Sequence, residues 1–174
     1  MSKRTLLAIL STLYVMGADY NLYDNSLYLM GGFTFNSAKT YLENSSNIGI
    51  RLNQNALSHN FIGFDAYQIS FDYTNENRYI NGPTTSIFRA SGNLLWYFSS
   101  SCSLTPFILA GGGFEYHSTS IKDSSSSLFL NGGGGFEYQI RSDLSFVTEA
   151  KVIYKGDNKN SLLTNIGIKY SFGN

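Results

Sequence analysis

The chain is short of charge. Only 14% of its 174 residues are Asp, Glu, Lys or Arg, against roughly 25% in an ordinary soluble domain. Lys plus Arg and Asp plus Glu each number 12, so the balance offers no basic surface for nucleic acid. A single cysteine, Cys102, excludes an internal disulfide. It follows three serines and lies far from the N-terminus, so it is not a lipoprotein anchor. Proline is scarce, at two residues. Beyond residue 18 there is no apolar run of the length a transmembrane helix needs. The length itself suits one domain rather than two.

What the chain has instead is 13 Tyr, 13 Phe and 17 Gly. The mean hydropathy is still only −0.12, far below that of a helical membrane protein. The start of the chain has a layout of its own. Lys3 and Arg4 are followed by an apolar stretch from Leu6 to Met16, then Gly17 and Ala18 before Asp19. This is the arrangement of a secretory signal peptide, expected to occupy residues 1–18, with cleavage after Gly17 or Ala18. Residues 19–174 then form the mature domain. Its net charge is near −2, because losing Lys3 and Arg4 leaves 10 cations against 12 anions.

The mature chain reads with a period of two, in eight segments separated by polar or Gly/Asn/Ser-rich breaks. One face of the seventh carries Leu144, Phe146, Thr148, Ala150, Val152 and Tyr154; the other carries Ser145, Val147, Glu149, Lys151, Ile153 and Lys155. The stretch GGGFEY occurs at 111–116 and again at 133–138. An even spacing keeps both glutamates, Glu115 and Glu137, on the face opposite their aromatic neighbours. Across the eight segments Arg51, Asp72, Arg89, Glu115, Glu137, Glu149, Lys151 and Lys169 all fall on the polar face, four cations and four anions.

A soluble sandwich would also alternate, but its wet face would be rich in Lys and Glu. Here that face is mostly Gly, Ser, Asn, Gln and Thr. Aromatic residues gather toward the strand ends, with Trp96, Phe98, Tyr138, Tyr170 and Phe172 at one rim and Tyr73, Tyr116 and Tyr154 at the other. With an export signal, this predicts an all-β chain, a single eight-stranded antiparallel up-and-down transmembrane β-barrel with aromatic girdles. Both termini then lie on the periplasmic side. Connections near Lys39–Glu43, Asn75–Pro83, Ser118–Ser127 and Gly156–Ser161 face outward; those near Gln54–Phe61, Ser99–Thr105 and Arg141–Asp143 face inward.

Simple hairpins predict who neutralises whom. A turn centred near Ile80 and Asn81 sets Asp72 opposite Arg89, and one centred near Lys159 sets Glu149 opposite Lys169. Glu115, Glu137 and Arg51 complete a central network. An interior of eight strands is just filled by side chains, so a plugged lumen is expected, with a small porin or gated channel as the alternative.

Other chemistry is weakly encoded. Gly111–Gly113 and Gly132–Gly135 neither continue into G-K-[ST] nor complete G-x-G-x-x-G. These glycines are expected to allow bending, close strand approach and room for large side chains. His117 and Ser118–Ser120 invite comparison with lipid A deacylase barrels. Those carry His-x-Ser-Asn, which this segment lacks, and Glu115 lies about 7 Å along the strand from His117. No catalytic, cofactor or metal site is expected, and His59 reads as a surface residue of an inner turn.

From Thr105 onward, TPFILAGGGFEYH, LFLNGGGGFEYQIRSDLSFVTEAKVIYK and LTNIGIKYSFGN resemble the second half of barrel domains of the OmpA/OmpX-like outer-membrane superfamily. The first half resembles it in pattern only. The resemblance implies a monomeric barrel set in outer-membrane lipid and lipopolysaccharide, inserted by the β-barrel assembly machinery through the Ile168, Tyr170 and Phe172 spacing. It implies roles in envelope structure or surface interaction, sometimes with minor channel activity. The ending Phe172-Gly173-Asn174 departs from the commonly terminal aromatic, and peptidoglycan anchoring is not carried over.

Overall fold

The computed structural model describes residues 25–36, 45–56, 63–77, 84–98, 103–119, 124–156 and 160–173. The expected signal segment, His59, Cys102 and most of the connecting loops lie outside the described residues. The alternation becomes eight strands: β1 (Asn25–Asn36), β2 (Ser45–Asn55), β3 (Ala66–Asn77), β4 (Thr84–Tyr97), β5 (Leu104–Thr119), β6 (Ser125–Arg141), β7 (Leu144–Tyr154) and β8 (Ser161–Phe172). Each pairs antiparallel with its sequence neighbour, and β1 also pairs with β8, so the sheet closes on itself. Closure removes every edge that open sheets must otherwise protect. We call the end holding the start of β1 and the end of β8 the near rim, and the opposite end the far rim.

Strand boundaries differ from expectation chiefly at the far rim. The β4–β5 ladder continues to Thr119 opposite Thr85 and the β5–β6 ladder to His117 opposite Ser125, so Ser118, Thr119 and Ser125–Ser127 are strand rather than loop. β6 also outruns its other neighbour, because the β6–β7 ladder starts at Leu130 opposite Tyr154. Serine runs carry no strong strand preference; here pairing to β4 and β5 decides. At the near rim the β6–β7 connection is the tight turn Ser142–Asp143, next to a register shift between Gln139 and Arg141.

Side chains of the wall are sorted inside out relative to a soluble protein. Leu29, Ile69 and Ile166 are 61%, 53% and 59% exposed, whereas Arg51, Glu115 and Lys151 are 0%, 0% and 1% exposed. The inward face, mostly small and polar as expected, also carries apolar residues that cluster. Tyr28, Met30, Ala66, Leu95, Phe107, Leu109 and Val147 form an apolar cluster in the near half. Phe129, Ile153 and Leu163 form a second, smaller one in the far half. Alternation already places Val147 and Ile153 on the face of Glu149 and Lys151, but does not show that such residues pack together into clusters.

The inward glycines of β5 and β6 make room for the two phenylalanines. Phe107 stands opposite Gly135 and Phe129 opposite Gly113. A Cβ on Gly135 would come within 2.8 Å of Phe107 Cζ, and one on Gly113 within 2.8 Å of Phe129 Cζ. The tip of each ring thus rests where the glycine has no side chain, the pairing by which aromatic residues cover backbone that a glycine leaves bare.

The near-rim junction of β2, β3 and β4 is tied through Asp65. Its backbone N–H donates to the Leu95 carbonyl at 2.8 Å, its carbonyl accepts from Ala56 N–H at 2.9 Å, and its carboxylate accepts from Tyr97 N–H at 2.6 Å. Partial burial pushes the Asp65 carboxyl above its ordinary value, more than the Tyr97 hydrogen bond lowers it. The folded chain therefore keeps this proton to higher pH than the unfolded chain does. The contribution to stability is fully present below the ordinary aspartate value and is lost as pH rises through the folded value. Asp65→Asn is expected to flatten that slope in urea melts run across mildly acidic pH; an unchanged slope would refute it.

Candidate functional site: the charged interior

All eight predicted interior charges are buried inside the barrel, 6% exposed or less. Together with partners the sequence reading left out, they form three groups along the axis.

In the middle, Arg51 of β2 meets two carboxylates. Its Nη2 lies 2.7 Å from Asp72 Oδ1 on β3 and 3.1 Å from Glu149 Oε1 on β7. Lys151 completes the square, 2.9 Å from Asp72 Oδ2 and 3.7 Å from Glu149 Oε1. Two cations and two anions thus share four short contacts across the lumen. Asn165 donates to Glu149 Oε1 at 3.2 Å, and its own carbonyl oxygen accepts from Asn47 at 2.7 Å. The groups come from β2, β3, β7 and β8, so the network ties non-adjacent strands together.

Toward the far rim, Glu115 receives several donors. Arg89 Nε donates to Oε2 at 2.6 Å, Lys155 Nζ lies 2.6 Å from Oε1, and His117 Nε2 also contacts Oε1. Arg89 Nη1 donates to Thr74 Oγ1 at 2.7 Å. Side chains two apart on one strand lean together here, so the spacing along the strand does not separate Glu115 from His117 as expected. Lys155 shares its face with Lys151, and that parity was the available signal for it.

Toward the near rim, Glu137 accepts from Lys169 at 2.7 Å, from Tyr28 OH at 2.8 Å and from Tyr97 OH at 3.1 Å. Asn53 donates to Tyr28 OH at 2.7 Å. The Lys169 ammonium lies 5.4 Å from both tyrosine ring centroids, a cation–π arrangement inside the barrel.

The expected hairpin pairs are rearranged. Asp72 does stand opposite Arg89 in the ladder, yet Arg89 turns to Glu115 and Asp72 to Arg51 and Lys151. Glu149 stands opposite Asn165, and Lys169 opposite Ser145. The predicted Glu149–Lys169 pair is therefore absent: the β7–β8 hairpin turns two residues earlier than a turn centred on Lys159 requires. In a narrow barrel, long side chains also reach across the lumen, so ladder neighbours are not the only choices.

The predicted aromatic residues lie on the outer wall. Tyr138, Tyr170 and Phe172 are exposed near one rim, Tyr116 and Tyr154 near the other. Trp96, Phe98 and Tyr73 are half-buried. The rings of Tyr170 and Phe172 stack with centroids 6.2 Å apart, and Tyr73 packs against Phe88 at 4.8 Å.

A closed eight-stranded antiparallel wall, apolar outside and ion-paired within, defines the class of small outer-membrane-type β-barrels. Solved structures share this fold. Neisserial surface protein A superposes with a TM-score of 0.70 at 13% identity, over 86% of this chain and 97% of that one. The N-terminal β-barrel domain of Pseudomonas aeruginosa OprF gives 0.58 at 13% identity, over 87% of this chain and 100% of that one. Ail, the attachment invasion locus protein of Yersinia pestis, gives 0.56 at 14% identity, over 85% and 97%. No family model matches the sequence, and no curated protein matches it either.

Proposed function

We propose that this protein is an integral outer-membrane barrel with a largely closed lumen, serving envelope structure or surface interaction rather than bulk diffusion. The observation that carries the reading is the sorting of the wall. An apolar exterior running around all eight strands is far larger than the apolar patches that soluble monomers leave exposed. In lipid it needs no further partner, and the closed ladder leaves no backbone edge to hydrogen-bond within the hydrocarbon. Residues 1–18 supply export, the assembly machinery inserts the chain as a monomer, and the rim aromatics sit at the interfaces with lipid and lipopolysaccharide.

Closure follows from what fills the interior. The near half holds seven packed apolar side chains beside the Glu137 group, and the middle holds the Arg51, Asp72, Glu149 and Lys151 square. Passage of a hydrated ion requires both to move. Glu115 spends its oxygens on Arg89, Lys155 and His117, the arrangement of a counter-ion rather than of a base aligned on a nucleophile, so we assign no catalysis.

The test is planar-bilayer conductance of residues 19–174, with folding established by a heat-dependent gel shift. Folded protein is expected to be silent. Steady currents proportional to salt would replace this reading with that of a small channel.

A further inference from the structure

Between the two apolar clusters, one stretch of the inner wall is built for a guest. Asn93 on β4, Gly111 on β5 and Asn131 on β6 lie side by side, Asn93 opposite Gly111 and Gly111 opposite Asn131. Asn131 is 7% exposed and Asn93 is 3% exposed. Both amide atoms of Asn131, Nδ2 and Oδ1, have no hydrogen-bond partner among the described residues, nor does Asn93 Oδ1. Asn93 uses its Nδ2, which donates to Gln68 Oε1 and Ser70 Oγ at 2.9 Å each. Gly111 lies between them in the ladder, and its missing Cβ is what lets Asn93 Oδ1 and the Gly92 carbonyl oxygen lie so close to it.

The surroundings favour a small neutral guest. The ring of Phe129 covers Gly113 on the far-rim side, and buried Leu95 and Leu109 lie on the near-rim side. Ile153 stands opposite Asn131 on β7. A bare amide against such neighbours forfeits its hydration with nothing in return. The buried charges of the central square, Arg51 and Lys151 with Asp72 and Glu149, balance one another, so they leave the niche no net charge with which to hold an ion. Two unpartnered acceptors and one two-proton donor on neighbouring strands match the two to four hydrogen bonds that a buried water makes.

We propose that Asn93, Gly111 and Asn131 form a site for bound water, which bridges the Asn131 amide to Asn93 Oδ1 across Gly111. The guest is trapped: it leaves only when Phe129 or the Leu95 and Leu109 side moves. This goes beyond a closed lumen, since a barrel plugged entirely by side chains would be dry at this point. It also assigns Asn131 a purpose in a strand whose inward neighbours are apolar or glycine.

The experiment is NMR on the refolded barrel in detergent micelles, reading cross-peaks between water and protein protons. The Asn131 side-chain amide and the inward α-proton of Gly111 should show water cross-peaks with the sign of residence longer than about a nanosecond. In Asn131→Leu, still heat-modifiable on a gel, the Gly111 peak should be lost. Contacts from the Asn131 amide protons to Asn93, without any water peak, would overturn the site by showing that the amides pair directly. Water peaks of the short-residence sign at Asn131 and along the whole lumen would also overturn it, and would show separately that the lumen is open.

Discussion

Replacing Lys151 with methionine is expected to lower the unfolding free energy by about 3–5 kcal/mol, the usual cost of removing one partner from a buried ion pair. Lys151 and Arg51 are 1% and 0% exposed, and each faces both Asp72 and Glu149. Without Lys151, a single guanidinium must neutralise two carboxylates that no water reaches. Methionine fills much of the same volume, so the loss reports charge rather than a cavity. The check is urea unfolding followed through the single tryptophan, Trp96. The decisive control is Lys151→Met combined with Asp72→Leu, which removes one charge of each sign and leaves Arg51 with Glu149 at 3.1 Å. The double variant should recover most of the loss, because balanced removal of a buried pair is often neutral. Equal losses in single and double variants would mean that the square is held by packing, with its charges incidental.

The barrel was legible because its two requirements write directly into alternation. A lipid-facing charge at the midplane costs about 2–4 kcal/mol for Arg or Lys, and a slip of one residue would expose every inward polar group at once. Arg51, Asp72 and Glu149 therefore sit at positions of fixed parity, and parity is what a sequence displays. The GGGFEY repeat is the clearest instance: Glu115 and Glu137 both enter the lumen, near opposite rims, and each finds a cation there.

Partner choice was less legible, for a physical reason. Hairpin geometry ranks neighbours along the ladder, but inside so narrow a barrel the side chains also meet across it. Arg51 on β2 reaches Glu149 on β7, and Lys151 on β7 reaches Asp72 on β3. The Glu149–Lys169 expectation failed on the position of one turn, which no residue in 156–161 marks uniquely. The apolar inward residues Phe107 and Phe129 went unseen because their signal is relational. A phenylalanine belongs inside only where an opposing strand offers a glycine, and that pairing requires the register first.

The same register predicts opposite outcomes within one run of four glycines. Gly135→Ala is expected to cost about 3 kcal/mol or more, at the upper end for overpacking. Its new methyl would land on the Thr148 carbonyl oxygen of β7 as well as on the Phe107 ring, 2.8 Å from Cζ. A ring can turn, but the carbonyl belongs to the β6–β7 ladder, so relief requires separating two paired strands. Gly132→Ala, three residues earlier on the outward face, meets only the Leu109 carbonyl oxygen at 3.9 Å. That is ordinary contact, and alanine there should be neutral or slightly stabilising because it restricts the unfolded chain. The comparison is the fraction refolded into micelles, read by heat-dependent gel shift, for both variants and for Gly135→Ala with Phe107→Leu. The ring variant should rescue little, since it leaves the Thr148 carbonyl in place. Full rescue would move the constraint from the backbone to the ring, and equal tolerance of alanine at 132 and 135 would contradict the close approach of the Thr148 carbonyl and the Phe107 ring to Gly135.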